Sequence, residues 1–237
     1  MPNTVLQQIA SLDWQSLQST LDECGHVTIP ALLGMDECRD LIDMYANESL
    51  FRSRINMARY RFGRGEYKYF QAPLPTLVQH LRMGFYPELA KTANRWLQQR
   101  GRDALYPQTL PAFLERCHQH GQNRSTPLML QYETGGYNCL HQDLYGEVFF
   151  PFQVVILLNQ CGTDYTGGEF LLVEQRPRAQ SRGYAIALQQ GDALIFPTQH
   201  RPVQGTKGYY QTTLRHGVST IASGKRYSLG IVFHDAQ

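Results

Sequence analysis

Leu128-Met129-Leu130-Gln131-Tyr132-Glu133, a Thr134-Gly135-Gly136 turn, and Tyr137-Asn138-Cys139-Leu140-His141-Gln142-Asp143 decide how this chain of 237 residues folds. Both runs are short and bounded by turn residues, the pattern of paired strands and not of a helix. The texture repeats to the C-terminus in FQVVILLN (152–159), GEFLLVEQ (168–175), YAIALQQ (184–190), DALIFP (192–197), TLRHGVS (213–219) and RYSLGIVFH (226–234). Eight strands at this spacing predict a double-stranded β-helix, or jelly roll, over residues 126–237. Residues 1–125 read as mainly helical, so the expectation is an α+β fold, one domain over 1–237, with N-terminal helices packed on a jelly-roll core.

In the N-terminal part, Leu12, Leu17 and Leu21 form an apolar stripe that stops at Gly25. A second helix is expected over 36–48, with Leu41, Ile42 and Tyr45 inward. A third region opens at Pro75, is interrupted near Gly84 and Pro87, and closes at Gly101. A fourth is expected over 108–119, before Gly121.

Composition excludes several classes. No apolar run is long enough to span a membrane, and the N-terminus lacks the basic-then-apolar pattern of a secretion signal. Five scattered cysteines, at 24, 38, 117, 139 and 161, do not form a disulfide framework. A cytoplasmic location follows as the expectation, with no obligate protein partner evident. The net charge of +2 excludes a generic polyanion binder, but Arg52, Arg54, Arg59, Arg61, Arg64 and Lys68 crowd one segment with Glu66 as its only acid. That segment, 51–70, also carries Tyr60, Phe62, Tyr67 and Tyr69. Guanidinium groups beside aromatic rings are the ingredients of a groove that tracks phosphates and stacks bases. The alternative is a solvated basic loop whose rings complete the core. On the first reading 51–70 is a substrate lid, with Arg59, Arg61, Arg64, Tyr67 and Tyr69 as substrate contacts and Gly63 and Gly65 as hinges or turns.

His141 and Asp143 share a strand face by the two-residue period. With His216 they offer two imidazoles and a carboxylate, the donor set of a non-haem Fe(II) site that leaves positions open for co-substrate and O2. Arg226 and Ser228 share the inward face of the last strand, where a guanidinium fork grips a dicarboxylate. A turn through Ala222-Ser223-Gly224 is expected between that strand and His216. Eight histidines and ten aspartates make a chance His-x-Asp expected about 0.3 times, so the weight lies in the conjunction. His26, His80, His118 and His120 lie in helical regions and read as surface or core; His200 is the alternative to His216. Cys139 shares the His141 face and reads as a small packing residue, with a redox role beside the metal as the alternative.

Gln131 to Asp143, with its His-Gln-Asp triplet, resembles the AlkB-type nucleic-acid demethylases of the 2-oxoglutarate/Fe(II)-dependent dioxygenase superfamily. Gly167-Gly168-Glu169-Phe170 resembles a turn and strand common in that superfamily. The whole chain, including Arg61-Phe62-Gly63-Arg64-Gly65-Glu66-Tyr67-Lys68-Tyr69-Phe70, resembles the Oxygenase-NA family, predicted to modify nucleic acid. The resemblance implies Fe(II) on His141, Asp143 and His216, and 2-oxoglutarate on Arg226, Ser228 and Tyr132. It also implies oxidative demethylation of alkylated bases in a single strand or flipped from a duplex, as in DNA repair. The chain departs from AlkB in its single Arg226-x-Ser228 and in Leu130, where AlkB has an asparagine. These departures resemble the prolyl hydroxylase branch, so hydroxylation of a protein or small molecule, and a non-catalytic metal or 2-oxoglutarate sensor, stand as the alternatives.

Overall fold

The computed structural model describes residues 4–103 and 105–237. Its N-terminal elements are α1 (Val5–Ala10), α2 (Trp14–Cys24), β1 (Val27–Ile29), α3 (Met35–Met44), β2 (Phe51–Asn56), β3 (Gly63–Arg64), β4 (Glu66–Phe70), α4 (Thr76–Gln99) and α5 (Leu110–Gln119). There follow β5 (Leu128–Glu133), β6 (Tyr137–His141), β7 (Phe152–Leu157), β8 (Tyr165–Gly167) and β9 (Phe170–Gln175). The last five are β10 (Arg182–Ile186), β11 (Ala193–Pro197), β12 (His200–Gly205), β13 (Gly208–Val218) and β14 (Ile221–Val232).

Two antiparallel sheets face each other. The larger runs β1-β11-β7-β14-β5-β4-β2, with β8 paired to β14; the smaller runs β10-β9-β13-β6-β3, with β12 paired to β13. This is the expected jelly roll. β7 is buried along its length because both of its faces are covered. Phe152, Val154 and Ile156 meet the helices, while Val155 and Leu157 meet Leu172, Leu214 and Phe196 between the sheets. A strand covered on both faces reads as a continuous apolar run, as FQVVILLN does.

The helices lie on the outer face of the large sheet. From α4, Phe85, Tyr86, Leu89 and Trp96 pack against Phe150, Phe152 and Phe233. Arg82, buried in the same helix, donates to the carbonyls of Val232 and Phe233 (3.0 and 2.8 Å) and to Asp235 Oδ1 (2.8 Å). It satisfies the end of β14, where the sheet ladder runs out.

Several expectations are corrected. The break near Gly84 and Pro87 does not occur, and α4 runs unbroken for 24 residues. Packing on both sides of Pro87 offsets its lost backbone donor. Gly84 gives room to α1, since a Cβ there would meet Ile9 Cδ1 at 3.0 Å. The turn between β13 and β14 is at Ser219-Thr220, and Ala222-Ser223-Gly224 lies inside β14, pairing with β8.

The segment 51–70 is barrel wall, not an appended lid. β4 pairs with β5 in the large sheet and β3 pairs with β6 in the small one. Gly65 (φ +154) is not a lid hinge but the bend between β3 and β4. It lets the chain cross Tyr132, whose Cδ1 would lie 2.7 Å from an added Cβ. All five cysteines are free. Among the described residues no helix is long and apolar enough to cross a membrane.

Candidate metal centre

β13 and β6 place His216 directly opposite His141 in the antiparallel ladder, so both imidazoles leave the same face of the small sheet. Their ring centroids are 4.2 Å apart. Asp143 completes the group, with ligand atoms of all three residues within 4.8 Å of one another. Its Oδ2 lies 3.2 Å from His216 Nε2, and its Oδ1 lies 3.5 Å from His141 Nε2. Asp143 does not share a strand face with His141: β6 ends at His141, and Asp143 reaches the site from the segment beyond it.

The hydrogen bonds around the triad fix its chemistry. His141 Nδ1 lies 2.8 Å from the Cys139 carbonyl, so it carries the proton and Nε2 presents a lone pair. Tyr145 donates to Asp143 Oδ1 at 2.6 Å, holding the carboxylate in its orientation. His216 is clamped between Phe170, stacked at 5.8 Å, and Phe196 at 4.7 Å. Burial works against the Asp143 charge, yet the two facing imidazoles outweigh it and hold the carboxyl well below its usual range. Burial lowers His216, helped by the neighbouring His141. Burial also pulls on His141, but the facing Asp143 prevails and raises it. An ionised carboxylate beside two imidazole lone pairs is a donor set suited to a divalent transition metal.

The triad opens on a cavity of about 340 Å³ whose wall includes Tyr132, Arg226 and Ser228. Arg226 stands opposite Tyr132 in the β14–β5 ladder and is 1% exposed. Its Nη1 donates to Ser228 Oγ at 3.1 Å, while its Nε and the Tyr132 hydroxyl, both buried, have no partner. A buried guanidinium without a carboxylate is costly, and an anion bound in the cavity would relieve that cost. The two open donors fit the distal carboxylate of 2-oxoglutarate. Gly168 (φ +69) lets the β8–β9 turn close over Arg226, whose Cδ would lie 3.0 Å from an added Cβ.

The substrate contacts expected from sequence divide. Arg61 and Tyr67 line the cavity. Arg59 and Arg64 are exposed nearby and do not line it. Tyr69 is corrected: it is buried, packed on Tyr67 and Tyr145 with Arg52 over its ring at 4.5 Å. Three of the clustered cations are used structurally. Arg52 donates to the Ser125 carbonyl, Arg54 pairs with Glu66, and buried Lys68 binds Glu48 and the Tyr45 carbonyl. His200, the alternative to His216, lies outside the triad's cavity. Cys139 is corrected as well, being exposed and lining the cavity.

Tyr145, Gln153 and Leu140 are site residues that the sequence did not single out. Tyr145, Gln153, Phe62 and Leu140 all line the cavity, and the Gln153 amide nitrogen is buried without a partner. A glutamine on the inward face of FQVVILLN, among apolar neighbours, was the available signal.

Known proteins resemble this chain in sequence and in fold. The model of the family Oxygenase-NA, described as an oxygenase catalysing oxidative methylation of damaged DNA, matches residues 65–236. The uncharacterized protein Rv2227 of Mycobacterium tuberculosis (strain H37Rv) is 53% identical over 167 residues, 70% of this chain and 72% of that protein. Among solved structures, a Pseudomonas putida prolyl-4-hydroxylase aligns with a TM-score of 0.56 at 13% identity, over 94% of this chain and 100% of that one. An oxidoreductase of the 2OG-Fe(II) oxygenase family from Burkholderia pseudomallei aligns at 0.53 and 15%, over 94% and 91%. At such identities the structural likeness speaks for the fold.

Proposed function

The chain belongs to the Oxygenase-NA family of Fe(II)- and 2-oxoglutarate-dependent dioxygenases, and from that membership we propose that its substrate is an alkylated base in nucleic acid. Its cofactor is Fe(II) and its co-substrates are 2-oxoglutarate and O2. His141, Asp143 and His216 would hold the metal, the histidines through Nε2 and Asp143 through its carboxylate. Arg226, Ser228 and Tyr132 hold the distal carboxylate of 2-oxoglutarate. Fe(II) held there with 2-oxoglutarate and O2 would supply oxidising chemistry, one oxygen atom going to a substrate C–H bond and the other to succinate, with loss of CO2. On an N-methyl group the product is a hydroxymethyl that releases formaldehyde and leaves N–H, a repair outcome.

The protein's own residues bind, orient and exclude water. Tyr145 keeps Asp143 turned to the histidines, and Phe170 and Phe196 keep water from His216. The observation that supports a nucleic-acid substrate is the cavity mouth. There Arg61 and Phe62 line the opening, and Phe62 stacks on Tyr60 at 5.5 Å while both rings stay exposed. An exposed ring pair beside guanidinium groups that have no carboxylate partner among the described residues fits an unstacked base and its phosphates.

The test is salt-dependent binding of a methylated single-stranded oligonucleotide. Neutralising Arg59, Arg61 and Arg64 to Gln removes up to three phosphate contacts, so the log-affinity against log-salt slope falls by about 2. An unchanged slope moves the substrate to proteins or small molecules and leaves the dioxygenase standing. The non-catalytic sensor gives way to the family's oxygenase activity.

A further inference from the structure

A second cavity, of about 320 Å³, lies between the C-terminal end of α4, residues 149–151 and the β12–β13 hairpin. It shares no lining residue with the cavity of the triad. Arg100, Arg102 and His200 line it, and no Asp or Glu does. Arg201 also reaches it, but that charge is taken by Glu174 at 2.9 Å, both side chains being 1% exposed. Among the described residues, Arg100 and Arg102 have no carboxylate within ion-pair distance.

The rest of the wall is ring and amide. Trp96, Tyr106 and Phe149 supply apolar surface, and Gln199 and Gln211 supply donors and acceptors. His200 Nδ1 lies 3.2 Å from the Thr212 carbonyl, so Nδ1 carries the proton and Nε2 is left to accept. Burial, with the charge of Arg100, outweighs the bond to the Thr212 carbonyl and lowers the pKa of this imidazole. Two free guanidinium groups, flat apolar walls and one open acceptor suit an anion joined to a planar heterocycle bearing N–H groups.

We propose that this cavity is a binding site for a nucleoside phosphate, its phosphate on Arg100 and Arg102 and its base against the rings. The nucleotide has two sources, a free mononucleotide or one unit of a strand whose reacting base lies at the triad. Only the second rests on the substrate reading above. Contact with the triad runs through Gln142, the residue between two of its members. Gln142 lines the first cavity, and its Nε2 donates to the carbonyls of Leu214 (2.8 Å) and Gln199 (3.4 Å), the latter residue lining the second.

Calorimetric titration of the metal-free protein with dAMP, and separately with a short single-stranded oligonucleotide, tests the site. We expect saturable dAMP binding that weakens roughly tenfold or more in Arg100→Gln/Arg102→Gln. Arg39→Gln, which removes an exposed cation that lines neither cavity, leaves dAMP binding unchanged. Oligonucleotide binding alone, weakened by the Arg100/Arg102 pair, upholds the site with the strand as its source. Binding of dAMP that persists where methylated oligonucleotide is not turned over upholds it with the free nucleotide. No saturable binding of either probe, or binding of both that is indifferent to the Arg100/Arg102 pair, overturns it. An unchanged melting temperature in the double variant shows that it folds.

Discussion

Replacing Arg226 with Met separates holding a co-substrate from holding the fold. The guanidinium is 1% exposed, it donates to Ser228 Oγ at 3.1 Å, and among the described residues its buried Nε has no partner. Two charge-assisted hydrogen bonds to a carboxylate contribute about 1.5–3 kcal/mol each. Their loss, about 3–6 kcal/mol, weakens 2-oxoglutarate by roughly 10²- to 10⁴-fold. The protein without 2-oxoglutarate moves the other way. Removing an uncompensated buried charge and filling its place with an apolar side chain of similar volume stabilises by about 1–3 kcal/mol. For a chain of this length each kcal/mol raises the melting temperature by roughly 2–4 °C. Thermal melts of wild type and Arg226→Met, run with and without 2-oxoglutarate, read both effects together. A variant that melts lower than wild type, or that keeps the 2-oxoglutarate stabilisation of wild type, refutes the reasoning.

Two further outcomes follow from single contacts. Tyr145→Phe keeps the ring against Tyr69 and His234 but removes the 2.6 Å hydrogen bond to Asp143. Metal affinity, titrated with Co(II), falls about 10- to 100-fold with the fold intact, and an unchanged affinity removes Tyr145 from the centre. His234 is fully buried, with Nδ1 accepting from the Phe150 amide at 3.2 Å, and burial lowers its pKa to about 4. Because the unfolded chain binds this proton and the folded one resists it, the contribution is intact above the ordinary histidine value. It is lost as pH falls from there towards 4, about 3 kcal/mol in all. Urea unfolding at pH 7 and near pH 4 shows a steeper acid loss for wild type than for His234→Asn; equal losses contradict the assignment.

The jelly roll and the triad were legible because both are written locally. Short runs between Gly and Pro turns marked the strands, and inward alternation put Arg226 with Ser228. The misreadings came where a distant partner decides. Residues 51–70 alternate charged and aromatic groups like a basic loop, and they become wall only because the edges of β5 and β6 need covering. β12 was missed because Pro202 argues against a strand, yet the strand pairs on one side alone, with β13, where a missing donor is tolerated. Gly84 and Pro87 marked a break that packing on both sides overrode. Tyr145 was out of reach, because its bond to Asp143 depends on how the chain turns after β6.

Succinate formation from 2-oxoglutarate by anaerobically iron-loaded protein, with and without methylated single-stranded DNA, tests the central claim most directly. The account predicts turnover that the oligonucleotide stimulates, that yields formaldehyde, and that vanishes in Asp143→Ala. Turnover that survives in Asp143→Ala contradicts the metal assignment, and turnover that methylated DNA leaves unchanged contradicts the substrate.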